Sequence, residues 1–273
     1  MSFYKIILLL CILNVSVNAR NSDTQKGISD KIYEDASTSV TGIMQVFNSP
    51  FEWEKQDWLM FGAVSTGAIV VSLADNEIRD FLKNNQSGFG DSMGRIGRNY
   101  GEPLTVIMIA GGIYGYGLLF ENEWARETTV LLTTALVPVG LIQVTAERSA
   151  GRARPYLELG NHEFDPFRRN EHYRSFLSGH TMVAVSTSLV LAERIENLPA
   201  KICLYGLGTL GAMARVYEDY HWASDAFLGA SLSVASVHFV IRSSNRKKLN
   251  RTDESFNWQI LPAKNGLSVS LSW

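Results

Sequence analysis

Six apolar runs, each about 15 to 19 residues long, dominate the chain between residues 58 and 241. Apolar runs of this length are typical of buried α-helices rather than strands. They lie near Trp58 to Leu73, Pro103 to Phe120, Thr128 to Ala146, Ser178 to Ala192, Pro199 to Ala214 and Ser224 to Ile241. The pattern predicts an all-α protein whose core is a bundle of about six helices.

The C-terminal segment follows a different pattern, with apolar residues at every second position. The alternating residues are Phe256, Trp258 and Ile260, then Leu267, Val269, Leu271 and Trp273. Lys264-Asn265-Gly266 lies between the two sets and is typical of a tight turn. The pattern predicts a short β-hairpin, and because two strands cannot close a barrel, we expect it to pack on the helices.

The N-terminal segment has the pattern of a secretory signal peptide. Lys5 precedes the apolar run Ile6 to Val17, and a small residue, Ala19, ends the segment. We expect cleavage after Ala19. The predicted organisation is a signal peptide (1–19), a polar N-terminal extension (20–57), a helical domain (58–243) and a tail with the hairpin (244–273).

Net charge and glycine spacing exclude two classes of ligand. A net charge of -2 and a pI near 6.2 argue against nucleic acid as a partner. The stretch Gly206 to Gly211 matches the dinucleotide-binding fingerprint by its letters, but it lies inside an apolar helical run with no preceding strand. We interpret these glycines as sites of close helix packing.

Three short polar clusters flank the helical runs and carry the residue types that phosphoryl transfer requires. They are Gly151 to Pro155, Ser178 to His180, and Arg215 to Asp225. Two arginines can neutralise the phosphoryl oxygens, one histidine can attack phosphorus, and a second can protonate the leaving group. This chemistry requires neither a metal ion nor another cofactor.

The position of each cluster supports this interpretation. Ser178-Gly179-His180 opens a helical run, so the free N–H groups and the dipole of that helix start would face an anion. His221 and Asp225 lie four residues apart, and a carboxylate bonded to one imidazole nitrogen would leave the other as a nucleophile. Arg154 follows a long run, where its guanidinium can bind phosphate oxygens bidentately.

The order of these motifs resembles a known signature. Arg154-Pro155, Ser178-Gly179-His180-Thr181 and Arg215-Val216-Tyr217, followed by His221-Trp222 and Asp225, resemble the type 2 phosphatidic acid phosphatase superfamily. That superfamily also includes bacterial class A acid phosphatases and vanadium haloperoxidases, and the resemblance spans about Thr128 to Ile241. It implies a nucleophile, its orienting carboxylate and a general acid at His221, Asp225 and His180. It also implies phosphate ligands at Arg154, Arg215, Ser178 and Gly179.

Three positions depart from that signature. Glu147 stands where the motif has lysine, Leu177 where it has proline, and Ala214 where it has serine. A carboxylate cannot bind phosphate, so we expect Arg148 or Arg152 to supply the missing positive charge. The leucine loses only a rigid helix start, whereas the alanine removes one potential phosphate hydrogen bond worth ~1 to 2 kcal/mol.

The predicted function is an exported phosphatase that hydrolyses phosphate monoesters, lipid or soluble, through a phosphohistidine intermediate. Two alternatives remain open. A vanadate-dependent haloperoxidase would use the same residues, because vanadate has the charge of phosphate and adopts the geometry of its transfer state. A non-catalytic phosphate-binding membrane protein is the other alternative, and Glu147 favours it.

The location of the protein also has two interpretations. The apolar runs approach the ~20 residues that span a bilayer, and Arg246-Lys247-Lys248 would suit a cytoplasmic end. A cleaved signal followed by six spans would place the three clusters in the cytoplasm, whereas secreted and lipid-directed relatives act outside. Mean hydropathy is about zero, which is low for six spans. We therefore expect a periplasmic bundle that can act at a membrane surface, the alternative being a multi-pass inner-membrane protein with an outward-facing site.

Overall fold

The computed structural model describes residues 27–255, 257–263 and 266–272, with side chains described from 27 to 246. Nine α-helices lie within this part of the chain, and the all-α class is confirmed. They are α1 Ile28–Asn48, α2 Lys55–Leu73, α3 Asp75–Asn84, α4 Gly88–Tyr100, α5 Pro103–Leu119, α6 Glu123–Ala150, α7 Gly179–Glu193, α8 Leu198–Tyr217 and α9 Ala223–Ser255. The six apolar runs form α2 and α5 to α9, so α1, α3 and α4 are additional to the predicted core.

Helix α1 occupies the segment that composition predicts as a polar extension. It packs along α6, where Arg126 makes a bidentate ion pair with Asp35 at 2.9 and 3.0 Å. Gly42 lies so close to Thr134 that an added Cβ would come within 2.5 Å of the threonine methyl. The polar residues of this segment therefore pair with charged groups of the bundle instead of forming an extended linker.

Glycines bring α4, α7 and α8 into close contact at the centre of the bundle. An added Cβ on Gly211 would lie 2.3 Å from the Ala184 Cβ, and one on Gly97 would lie 2.3 Å from the Leu210 carbonyl oxygen. Gly208 contacts Ser188 in the same way, at 2.9 Å. The interpretation as sites of close helix packing is confirmed for Gly208 and Gly211, whereas Gly206 has nothing within 4 Å of an added Cβ.

The helices are arranged so that the three polar clusters meet at one end of the bundle. Asp75, just beyond the end of α2, accepts hydrogen bonds from the backbone and side chain of Ser224 at the start of α9. At the opposite end, Arg194 after α7 contacts Glu127 at the start of α6. The ends of α6 and α8 and the starts of α7 and α9 therefore share one face, which we call the site face.

Within the part of the chain that the structure describes, three helical segments are long and apolar enough to cross a membrane: Lys55–Leu73, Glu123–Ala150 and Ala223–Arg246. Helices α4 and α5, bent by 53° relative to each other, would form a fourth span if counted as one. Only 6% of the apolar window of α2 is buried. A soluble bundle would leave that apolar surface in water, so this exposure favours the membrane alternative over the periplasmic bundle.

Beyond α9 the chain forms two antiparallel strands, β1 Asn257–Ala263 and β2 Gly266–Ser272. Their register pairs Asn257 with Ser272 and Ala263 with Gly266. The strands occupy the segment in which apolar and polar residues alternate. The predicted signal peptide lies outside the described residues.

Candidate active site

His221 lies in the short turn between α8 and α9 and is buried. Its Nδ1–H donates to the Ser175 carbonyl oxygen at 2.8 Å, which leaves Nε2 as the ring nitrogen with a free lone pair. Burial, followed by the positive charge of Arg154, lowers the pKa of His221 to about 3. The imidazole is therefore neutral at physiological pH, as a nucleophile must be.

The sequence predicts a direct hydrogen bond between Asp225 and the His221 imidazole, but in the structure Ser175 lies between them. The Asp225 carboxylate accepts hydrogen bonds from the Ser175 hydroxyl at 2.6 Å and from the Trp222 N–H at 3.2 Å, and the imidazole is bonded to the Ser175 carbonyl instead. The direct carboxylate–imidazole bond expected from the four-residue spacing is thus replaced by a chain through Ser175. Asp225 can orient His221 only by fixing the backbone that His221 contacts.

Arg154 and Arg215 approach His221 from two different segments. Arg154 lies in the loop after α6 and Arg215 near the end of α8, yet the charges of both act on the pKa of His221. Arg215 is nearly buried and pairs with Glu218 at 3.1 Å. The Nε atoms of both arginines are buried without a hydrogen-bond partner among the described side chains. These donors are available to an oxyanion, as the motifs predict.

Arg152 does not belong to this group, which corrects its predicted role as a phosphate ligand. It is buried and donates to Asp225 at 2.6 Å, to Asp75 at 2.8 Å and to the Asn161 carbonyl oxygen at 2.6 Å. These acceptors, together with the Ser224 hydroxyl, occupy all three guanidinium nitrogens. Arg152 instead neutralises two buried carboxylates, one of them Asp225.

Ser178 and Gly179 form the start of α7, as predicted. The Ser178 hydroxyl caps the helix by accepting from the Thr181 N–H at 3.4 Å, so this serine has a structural role whether or not it also contacts phosphate. Gly229 of α9 allows the close approach, because an added Cβ would lie 3.2 Å from the Ser178 carbonyl oxygen. The N–H groups of Gly179 and His180, which precede Thr181 in the first turn of α7, have no intrahelical partner and remain available to an anion.

Leu177 has a left-handed backbone, with φ of 63°. A proline ring fixes φ near -65°, so the proline of the usual motif could not adopt this conformation. For a leucine the conformation costs about 1 to 2 kcal/mol, which packing of the buried side chain against Val139 and Met182 offsets. Leucine in place of proline therefore changes the path of the chain into α7. The effect of the substitution is larger than the loss of a rigid helix start that the sequence predicts.

His180 lies in the first turn of α7, and its Nε2 is 3.1 Å from the Glu102 carboxylate. Burial and the charge of Arg215 lower the pKa of His180 below its usual range, and Glu102 offsets part of this shift. A general acid must be protonated before the reaction, so Glu102 and the negative charge of a bound phosphate both support that role. Glu102 precedes α5 and has no motif in the sequence that would reveal it.

Glu147, at the usual lysine position, bonds to Gln143 one turn earlier in α6. The amide group of Gln143 lies against the start of α7, 3.4 Å from the position of an added Cβ on Gly179. Gln143 therefore supplies a neutral amide where the motif would supply a cation. Arg148, the other predicted substitute for the lysine, is exposed.

The residues that the sequence does not identify share one property: each acts through a contact that is distant in the chain. Ser175 bonds His221 through its carbonyl oxygen and Glu102 bonds His180 across 78 positions. Asp75 reaches Arg152 from the end of α2. No spacing rule connects such pairs, and only the fold brings them together.

We expect Glu102→Gln to move the alkaline limb of the pH–rate profile to lower pH. Loss of the carboxylate removes the contact that raises the pKa of His180, so the acid form of His180 will be lost at lower pH than in the wild type. The measurement is kcat/KM against pH with one aryl phosphate, so that substrate ionisation cancels. Glu127→Gln, at the opposite end of the bundle, is the matched control. An unchanged limb in Glu102→Gln would show that Glu102 does not act on the general acid.

Comparison with known proteins places this site in a family. Residues 127–249 match the PAP2 superfamily. The fold is similar to LpxE from Aquifex aeolicus, at 20% identity over 62% of this chain and 94% of that chain, with a TM-score of 0.50. A transmembrane PAP2-type phosphatidylglycerolphosphate phosphatase from Bacillus subtilis matches at 15% identity over 67% and 95% of the chains, with a TM-score of 0.49. No curated protein sequence matches the chain.

The fold and the site together define a phosphatase that acts on phosphate monoesters. The match to the PAP2 superfamily, which the motifs predict, covers residues 127–249, and this segment contains all three polar clusters. Two residues that support the site, Asp75 and Glu102, lie outside it.

Proposed function

We propose that this protein is a membrane phosphatase that hydrolyses phosphate monoesters through a phosphohistidine at His221. The observation that carries the proposal is that Arg154 and Arg215 both lie against the ring of Tyr220, the residue before His221, and that each has a buried Nε without a hydrogen-bond partner among the described residues. A neutral imidazole beside two guanidinium groups is arranged to attack a phosphoryl group whose oxygens those groups hold.

In the first step, Nε2 of His221 forms a bond to phosphorus while the bond from phosphorus to the ester oxygen breaks. The hydrogen bond from Nδ1 to Ser175 holds the ring during this attack. Arg154, Arg215 and the first N–H groups of α7 stabilise the negative charge on the equatorial oxygens. His180 gives its proton to the departing oxygen, so the alcohol leaves neutral.

In the second step, the now neutral His180 accepts a proton from water as that water attacks phosphorus. The bond from phosphorus to Nε2 breaks, inorganic phosphate forms, and His180 is again protonated. Each histidine thus returns to its starting state, and the cycle consumes one water for each ester bond.

The apolar segments support a location in the membrane with the site at one surface. The site face lies where α2 ends and α9 begins, so the phosphate would be bound at the depth of lipid headgroups. The opposite end of α9 carries Arg246-Lys247-Lys248, which suits the cytoplasmic side and directs the site outward. This orientation requires Lys55, at the start of α2, to lie on the cytoplasmic side as well.

A lipid phosphate is the substrate class that this location favours. The loop after α6, which carries Arg154, also leaves Leu159, Phe164 and Phe167 exposed. Apolar side chains beside a cationic site suit an amphipathic ester, because the chains of the lipid can contact them while the phosphate reaches Arg154 and Arg215.

The test compares two esters that share a headgroup and differ in chain length. We expect the full-length protein in detergent micelles to hydrolyse a long-chain lipid phosphate with a kcat/KM at least about tenfold higher than a short-chain soluble analogue, a difference of about 1.4 kcal/mol. Equal values would indicate a soluble substrate class. His221→Ala is the control, and residual hydrolysis by this variant would identify a contaminating phosphatase.

A further inference from the structure

The ring of Tyr220 contacts both arginines of the site, although the reaction steps above do not use it. The guanidinium carbon of Arg215 lies 4.1 Å from the ring centroid, and that of Arg154 lies 5.4 Å from it. Cations within about 6 Å of an aromatic centroid are attracted to the ring. A single side chain therefore attracts both cations of the phosphate site.

The two arginines have few other contacts that would hold them together. They carry like charges, which repel each other when no anion lies between them. The Nε atoms of both are buried without a hydrogen-bond partner among the described side chains, and Arg215 is tied to the protein through Glu218. Some other contact must offset the repulsion in the free enzyme.

The turn that carries Tyr220 is itself fixed from several sides. Arg79 donates two hydrogen bonds to Asp219, at 2.6 and 2.8 Å, and Asp219 has a left-handed backbone with φ of 64°. The Tyr220 N–H donates to the Arg215 carbonyl oxygen at 3.0 Å. The ring also packs edge-on against Tyr156, with centroids 5.6 Å apart. These contacts hold the Tyr220 ring in place without using the guanidinium groups of the arginines.

We propose that Tyr220 is a positioning residue that holds the guanidinium groups of Arg154 and Arg215 side by side before substrate binds. This role rests on the proposed function, in which both arginines bind the phosphoryl oxygens. Preorganised cations do not have to be brought together against their repulsion when the phosphate arrives. The ring contributes to phosphate affinity and leaves the attack by His221 unchanged.

The test compares Tyr220→Leu and Tyr220→Phe in the full-length protein. We expect Tyr220→Leu to raise KM and the vanadate concentration for half-inhibition roughly fivefold to thirtyfold, the range that loss of one or two such contacts would give. We expect kcat to change less than about threefold. Tyr220→Phe keeps the ring and should stay within about twofold of wild type in all three quantities.

The matched control is Tyr116→Leu. Tyr116 lies on α5, is 38% exposed against 39% for Tyr220, and also packs on another ring, that of Phe120. It should leave KM and vanadate inhibition unchanged. Should Tyr220→Leu not fold, Tyr220→Met takes its place and must show the same loss of affinity.

Three results would overturn the role of Tyr220. Unchanged KM and vanadate inhibition in Tyr220→Leu would show that the ring does not position the arginines. A loss in Tyr220→Phe equal to that in Tyr220→Leu would assign the effect to the hydroxyl group. A wild-type protein that neither hydrolyses esters nor responds to vanadate would overturn the proposed function, and the positioning role with it.

Discussion

His221→Ala will form no acid-labile phosphoprotein with any ester, because the variant lacks the imidazole nitrogen that attacks phosphorus. His180→Ala should still be labelled by an activated aryl phosphate, whose leaving group departs without a proton, although labelling slows with ordinary esters by about 10² to 10⁴. The measurement is rapid quenching of full-length protein followed by quantification of protein-bound phosphate before and after acid treatment.

The contrast between the two variants is what tests the assignment. His238→Ala changes an exposed histidine further along α9 and should be labelled like the wild type. Normal labelling of His221→Ala would refute the nucleophile assignment. Failure of His180→Ala to label with the activated ester would show that His180 does more than protonate the leaving group.

Arg152→Ala will lower the stability of the protein by about 3 to 5 kcal/mol, the cost of leaving buried charges unpaired. The carboxylates of Asp75 and Asp225 are completely buried, and Arg152 is the cation that contacts both. The measurement is the unfolding transition of the detergent-solubilised variant. Arg168→Ala is the control, because that arginine lies in the same loop and pairs with Asp165 at the surface, where loss costs about 1 kcal/mol or less.

A second variant separates ion pairing from phosphate binding. Arg152→Gln combined with Asp75→Asn removes one positive and one negative charge, and should recover part of the lost stability. If Arg152 bound phosphate, as its place beside Arg154 in the sequence suggests, Arg152→Ala would instead fold normally and raise KM. That result would refute the structural role.

The motifs predict those parts of the site whose residues lie close together in the sequence. Arg154, His180, Arg215 and His221 come together as expected, since each lies at a helix end and the helix ends meet on one face. The six apolar runs also correspond to helices. In both cases the information is local, because apolar periodicity and helix starts are properties of neighbouring residues.

The errors arise where the partner of a residue is distant in the sequence. Arg152 and Arg154 are equivalent by their neighbours, yet Arg152 contacts Asp75 and Asp225 whereas Arg154 lies against the ring of Tyr220. The four-residue spacing of His221 and Asp225 likewise predicts a direct bond, but His221 precedes the helix and Asp225 lies within it. Local spacing does not determine such contacts, which depend on how the loop from Gly151 to Ser178 folds back onto α9.

The sequence alone also does not determine whether the protein lies in a membrane. Mean hydropathy of the whole chain averages polar loops with apolar helices, whereas the arrangement of helices determines which apolar faces remain uncovered. Helix α2 is the clearest example, since its apolar surface has little protein against it.

The placement of Asp75 and Glu102 outside the PAP2 segment has a practical consequence for protein engineering. A polypeptide trimmed to residues 127–249 would retain every motif but lose the carboxylate opposite Arg152 and the one beside His180. Such a fragment would keep the pair of Arg152 with Asp225, but it would leave Ser224 without its buried acceptor and His180 without the carboxylate beside it. The smallest transplantable unit of this enzyme therefore begins no later than Asp75, and a chimera must take the preceding segments from the same parent as the motifs.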